Sequence, residues 1–131
     1  MPSKYDSQPL YLWGPVIVYM AVIFYVSSLH EAPLPKGMSD KSAHWLGYTG
    51  FSVTIARALA GGLGRRIAAS TAMVAVLIAV AYGVSDEFHQ MFVPGRSAEL
   101  ADLGADALGA IVGAAACWAW GIISVRSRHE L

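Results

Sequence analysis

Four long apolar segments, separated by short polar connections, dominate the chain. They cover residues 12–29, 41–59, 67–88 and 99–125. Each is close to the length of about 20 residues that an α-helix needs to cross the hydrocarbon core of a bilayer. The pattern therefore predicts an all-α fold, an integral membrane bundle of four transmembrane helices, in one domain that covers residues 1–131.

The connections carry residues that end or begin helices. The loop at residues 31–38 contains two prolines, which cannot continue a helix, and Ser39 and Asp40 then stand as N-cap candidates for the second segment. Pro94 and Gly95 predict a turn between the third and fourth segments.

The fourth segment is rich in small residues. Gly109 and Gly113 form a G-x-x-x-G pair, the spacing that lets two helices approach closely in a membrane. We expect this face to pack against another helix, either inside the chain or in a homo-oligomer.

Composition agrees with a membrane location. The chain is 56% hydrophobic and only 14% charged, whereas a soluble domain has about 25% charged residues. Its helices offer too little charged surface to face water on one side. The net charge is zero, so no basic surface points to nucleic acid. One cysteine, Cys117, excludes an internal disulfide.

Lysine and arginine are distributed unevenly between the two sides of such a bundle. The side that holds both termini and the middle connection has six of the nine: Lys4, Arg57, Arg65, Arg66, Arg126 and Arg128. Because cytoplasmic loops carry the excess of positive residues, we expect both termini to lie in the cytoplasm. The acidic residues show the opposite distribution, and seven lie on or near the outer side: Glu31, Asp40, Asp86, Glu87, Glu99, Asp102 and Asp106.

Several of these acids share helix faces with other polar residues. Asp86, His89 and Gln90 are spaced at i, i+3 and i+4 at the end of the third helix. Asp102 and Asp106 are one turn apart at the start of the fourth. Carboxylates inside apolar helices are costly unless something pairs with them, so this region is the candidate site.

Two further elements can reach the same region. Asp40, His44 and Tyr48 recur every four residues and therefore share one face of the second helix. Arg96, in the loop between the third and fourth helices, is the expected partner of Asp106, because a guanidinium can bind a carboxylate through two hydrogen bonds.

Three interpretations of this constellation stay open. Arg96, His44 and His89 could simply neutralise the acids and fix the helices. Carboxylates and imidazoles could bind a divalent cation, although no strict metal motif is present, so we assign no metal ligands and leave the cofactor open. The site could also bind an anionic or peptide-like head group at the outer leaflet through Arg96, with Asp86, Glu87 or His89 as catalytic acid–base candidates. The binding candidates are Asp40, His44, Tyr48, Gln90, Arg96, Asp102 and Asp106.

Three strings carry a resemblance to a known family. They are D-K-x-x-H-x-x-x-Y at residues 40–48, D-E-x-H-Q-x-F-V-P-G-R at residues 86–96 and D-x-x-x-D-x-x-G-x-x-x-G at residues 102–113. Together they resemble the VanZ-like family over nearly the whole chain. The family often has Asn where this chain has Asp106.

The resemblance implies a small multi-pass protein of the bacterial plasma (inner) membrane with a role in the cell envelope. The family is named for a protein that gives low-level resistance to the glycopeptide antibiotic teicoplanin. The expected partners are the lipid bilayer and, from the residues of the polar site, a lipid-linked or anionic envelope ligand. The alternatives are a metal- or acid/base-dependent membrane enzyme that acts on a lipid phosphate or peptidyl head group, or a small proton-coupled transporter that uses Asp106.

Overall fold

The computed structural model describes residues 8–130, which form four α-helices and, within that range, no strand. The helices are α1 (Gln8–Ser27), α2 (Asp40–Ala60), α3 (Ala69–Gln90) and α4 (Leu100–His129). Every helix end lies within four residues of the boundary expected from the sequence. The all-α prediction is confirmed.

Three of the helices, α1, α3 and α4, are long and apolar enough to cross a membrane. They expose many large apolar side chains, among them Ile17, Leu77 and Ile111. The helix α2 is not among them, because its charged, hydroxyl-bearing and glycine residues lower its hydropathy. That α2 also crosses the membrane stays a prediction. The three apolar helices are what a membrane bundle requires, since their exposed surface suits lipid and not water.

The helix α2 is the centre of the bundle and contacts each of the other three. Among the described residues, α1 contacts α2 and α3 but not α4. Phe51 and Ile55 of α2 are fully buried. They are surrounded by four buried alanines of α3 and α4, whose small side chains let the helices approach: Ala75, Ala79, Ala110 and Ala114.

The G-x-x-x-G pair of α4 packs directly on α2. A Cβ atom on Gly109 would overlap the Trp45 carbonyl oxygen, and one on Gly113 would overlap the Thr49 carbonyl oxygen. The predicted close helix approach is therefore confirmed inside the chain. The homo-oligomer that we expected through this face stays a prediction, and it would have to use another surface because α2 already covers both glycines.

The α1–α2 loop (residues 28–39) and the α3–α4 loop (residues 91–99) meet at one end of the bundle, which we call the acidic end. His30 Nδ1 lies 2.9 Å from the Pro94 carbonyl oxygen and joins the two loops. The predicted Pro-Gly turn is present: the Arg96 N–H donates to the Val93 carbonyl at 3.1 Å, and Gly95 has φ 79°. A side chain at Gly95 would overlap the His30 ring, so glycine is required there.

The opposite end of the bundle carries five of the six arginines, all except Arg96. Arg57 lies over the Tyr11 ring at 4.5 Å and donates to the Tyr11 and Leu12 carbonyl oxygens. The Arg128 guanidinium donates to the Gly64 carbonyl oxygen at 2.6 Å. Lys4, which contributed to the expected orientation, lies outside the described residues.

Candidate functional site

The deepest carboxylate of the acidic end belongs to Asp106, which is fully buried on α4. Its partner is His44 of α2, whose Nδ1 lies 2.7 Å from Asp106 Oδ1. The expected pairing with Arg96 is wrong, because no carboxylate of residues 8–130 lies within 4.0 Å of that guanidinium. The physical reason is the close packing of α2 on α4 at Gly109, which brings the imidazole to the carboxylate first.

A second layer of charges lies nearer the surface. His44 Nε2 is 3.8 Å from Asp40 Oδ2 and 4.0 Å from Asp102 Oδ2. Lys41 Nζ lies 2.9 Å from Glu99 Oε2 and 3.2 Å from Asp102 Oδ1. The Lys41 ammonium lowers the pKa of the exposed Glu99 carboxyl below its ordinary value. This lysine therefore holds the start of α4 against the start of α2.

Glu87 of α3 fixes the start of α4 from another side. Its Oε2 accepts a hydrogen bond of 3.1 Å from the Glu99 backbone N–H, the N-cap residue of α4. The Glu99 side chain makes no capping hydrogen bond, so the Glu87 carboxylate of α3 supplies a hydrogen-bond acceptor at the start of α4. A carboxylate near a helix N-terminus also interacts favourably with the helix dipole.

A cavity of about 230 Å³ lies between α1, α2 and α3 at the acidic end. Its α1 wall is mainly apolar and includes Val22, Ile23 and Val26. The facing walls are polar: Asp40, His44 and Tyr48 of α2, Asp86 and Gln90 of α3, and Arg96 of the loop. A more open, polar pocket of about 420 Å³ adjoins it and shares Asp40, Gln90 and Arg96. The cavity is thus apolar towards α1 and polar towards the loops.

Several buried polar atoms of this region have no hydrogen-bond partner among the described residues. Around the cavity they are Ser27 Oγ, Tyr48 OH, Asp86 Oδ1 and Arg96 Nε. Between α3 and α4 they are Glu87 Oε1 and Asp106 Oδ2. Folded proteins pair most of their buried polar atoms with hydrogen-bond partners. A cluster of unpaired ones therefore indicates a candidate functional site.

These polar residues all fall in a stretch that comparison with known proteins identifies. The model of the VanZ/LLP1 family matches residues 19–123. The chain belongs to the VanZ/LLP1 family. No curated protein and no solved structure matches it. The family and the three apolar helices together make this a membrane protein, and the resemblance found in the sequence is confirmed.

In this VanZ/LLP1 chain, the binding candidates divide into two adjoining groups. Five of them line the cavity: Asp40, His44, Tyr48, Gln90 and Arg96. Asp86, a catalytic candidate, lines it as well. Asp102 and Asp106 lie behind His44, on the α4 side, and Glu87 joins them there. His89 does not line the cavity, and its ring instead stacks on Phe24 of α1 with 4.4 Å between the centroids.

Sequence reasoning missed three contributors to the site. Lys41 had no predicted role in the site, although its spacing of i, i+3 from His44 places both near one helix face. Tyr19 and Ser27 also line the cavity, and the Tyr19 hydroxyl donates to the Gly47 carbonyl oxygen at 2.7 Å. Both lie on α1, whose near-uniform apolarity gave no signal of which face turns inward.

Proposed function

We propose that this VanZ/LLP1 chain is a multi-pass protein of the bacterial inner membrane that binds the anionic head group of a lipid-linked envelope component. The observation that carries the proposal is the cavity between α1, α2 and α3. Its polar side presents the Arg96 guanidinium, which has no carboxylate partner among the described residues. A half-buried arginine with no internal counter-ion is a natural site for a phosphate or carboxylate.

The two sides of the cavity suit the two parts of a lipid. Val22, Ile23 and Val26 offer an apolar surface to a hydrocarbon chain. On the opposite side, Tyr48 OH can donate a hydrogen bond, and Asp86 can accept one from a hydroxyl or amine. A ligand with both parts would satisfy buried polar atoms that the chain leaves unpaired.

The distribution of charge supports an outward-facing acidic end. Arginines collect at the other end of the bundle, where both described termini lie: Arg57, Arg65, Arg66, Arg126 and Arg128. By the positive-inside rule this distribution supports a cytoplasmic position for that end and a cavity that opens towards the outer leaflet. Lipid-linked envelope precursors are exposed on that leaflet, which agrees with a role in the cell envelope.

The family name connects this chain with low-level glycopeptide resistance of the teicoplanin type. Binding an envelope lipid at the outer leaflet is a physical route to such a phenotype, because it acts where the antibiotic meets its target. Expression in a susceptible host should raise the inhibitory concentration of teicoplanin, and the Arg96→Ala variant should not. An equal rise with both proteins would show that resistance does not depend on Arg96 in the cavity.

A second candidate function is acid–base catalysis on the bound head group, which the His44–Asp106 pair favours. An imidazole oriented by a buried carboxylate is a common general base, and His44 lines the cavity. Transport has less support. Between Asp106 and Arg57 the buried side chains are mainly apolar, with Phe51 and Ile55 at the centre.

Native mass spectrometry of the purified protein tests the binding proposal. The wild-type chain should retain an anionic lipid, and Arg96→Ala should retain about tenfold less, as expected for the loss of a charge-assisted hydrogen bond. The matched control is Arg66→Ala, which removes the same charge from an exposed position at the opposite end. Equal retention by the three proteins would exclude Arg96 as the anion site.

A further inference from the structure

Three metal-ligating side chains from three different helices converge behind the cavity. They are His44 of α2, Glu87 of α3 and Asp106 of α4. One ligand atom from each lies within 4.8 Å of those of the other two. The sequence alone did not predict this group, since Glu87 lies 43 residues after His44 and 19 before Asp106 and no metal motif links them.

The two carboxylates of this group are buried and each has an oxygen without a partner. Glu87 Oε1 and Asp106 Oδ2 make no hydrogen bond with the described residues. Asp106 Oδ2 lies beside Gly83, where a Cβ atom would be only 3.1 Å away. Gly83 is one turn before Glu87 on α3, so the free oxygen of Asp106 is directed towards the helix that carries Glu87.

The local charges do not balance. Four carboxylates are less than 10% exposed: Asp86 (5%), Glu87 (7%), Asp102 (3%) and Asp106 (0%). Lys41 pairs with Asp102, and Arg96 pairs with no carboxylate of residues 8–130. His44 can supply at most one positive charge to Glu87 and Asp106. Buried carboxylates are stable only when they are paired, protonated or bound to a metal. A further cation at this group would therefore neutralise negative charge that the protein leaves unpaired.

We infer that His44, Glu87 and Asp106 form a binding site for a divalent transition-metal cation such as Mn²⁺ or Zn²⁺. One imidazole and two carboxylates form a mixed nitrogen and oxygen set that suits these ions better than Ca²⁺. Ligand atoms around such an ion lie about 3.3 Å apart, as metal–ligand distances near 2.0–2.1 Å require. The side chains therefore need only small movements, with the 2.7 Å His44–Asp106 hydrogen bond replaced by bonds to the metal.

The site adjoins the cavity through His44, which belongs to both. Three protein ligands leave coordination positions for water or for an oxygen of a bound molecule. The inference does not rest on the proposed lipid binding, because the site is built from protein groups alone and can be tested with metal and no lipid.

Metal binding is measured on the detergent-purified chain after removal of metals with a chelator. Mn²⁺ is added, and bound ion is determined by electron paramagnetic resonance and by elemental analysis after desalting. The wild-type chain should bind about one Mn²⁺, and His44→Gln, Glu87→Gln and Asp106→Asn should each weaken binding by about tenfold or more. Glu99→Gln is the matched control, because it removes an exposed carboxylate of the same end that is not part of the group.

Two outcomes would overturn the inference. One is a wild-type chain that binds no Mn²⁺ or Zn²⁺ and whose melting temperature does not rise with either ion. The other is loss of binding that is the same in Glu99→Gln as in the three ligand variants, which would indicate a diffuse effect of negative charge. If a ligand variant fails to fold, the wild-type and Glu99→Gln measurements can still overturn the inference.

Discussion

His44 Nδ1 lies 2.7 Å from Asp106 Oδ1 and joins α2 to α4. The two residues are 62 positions apart in the chain and meet one turn above Gly109, where α4 rests on the α2 backbone. The bond thus connects two motifs that the sequence presents separately. It also places an imidazole between the cavity and the buried carboxylates.

The first prediction concerns this bond. Asp106→Ala should lower the free energy of unfolding by about 1–3 kcal/mol, because it leaves His44 without its buried acceptor. Asp106→Asn should cost less, since the amide oxygen can still accept from the imidazole. Thermal melting in detergent measures both, and equal melting temperatures for wild type and the alanine variant would contradict the role given to the bond.

The second prediction concerns the packing of α4 on α2. Gly113→Ala should destabilise the bundle by about 1–3 kcal/mol, because its Cβ would overlap the Thr49 carbonyl oxygen and the Ser52 hydroxyl. Gly104→Ala is the matched control on the same helix, where a Cβ meets nothing within 4 Å. The control should be neutral or more stable, and a loss of equal size in both variants would argue against this close contact.

The third prediction is a pH dependence at the start of α4. Because Lys41 lowers the pKa of Glu99 below its ordinary value of 4.5, the pair stabilises the folded state fully above that pH. The contribution is lost as the pH falls through the lowered pKa of the folded state. The melting temperature of wild type should therefore exceed that of Glu99→Gln at pH 7, and the difference should shrink below pH 4.5. A difference that does not change with pH would contradict the pairing.

The fourth prediction tests orientation. In a chain with Cys117→Ala, Ser97→Cys at the acidic end should react with a membrane-impermeant maleimide in cells whose outer membrane is permeabilised. Ser127→Cys, near the end of α4, should react only after the inner membrane is opened. Both serines are exposed, so the contrast reports the side of the membrane. The reverse pattern would place the cavity in the cytoplasm.

Much of this arrangement follows from the sequence because it depends on periodicity within one helix. The apolar runs predict the helices, and the spacing of Asp40, His44 and Tyr48 predicts that they face one region, as they do along the cavity. The small residues of α4 predict a close helix contact, which the chain makes with α2.

The predictions of side-chain partners fail where a contact depends on how one helix is rotated relative to its neighbour. Arg96 was expected to reach Asp106, but its loop places it at the cavity while α2 supplies His44. His89 shares a helical turn with Asp86 yet stacks on Phe24 of α1. Spacing along the chain fixes which residues share a face, and it does not say which neighbouring helix that face meets.

The central claim is that Arg96 binds the anion of a lipid head group in the cavity. The most direct measurement is equilibrium binding of a short-chain lipid phosphate and of the corresponding uncharged alcohol to wild type, Arg96→Ala and Arg66→Ala. We predict that wild type and Arg66→Ala prefer the phosphate by about tenfold or more, and that Arg96→Ala loses this preference. A wild-type chain that binds both compounds equally, or an Arg96→Ala variant that keeps the preference, would contradict the account.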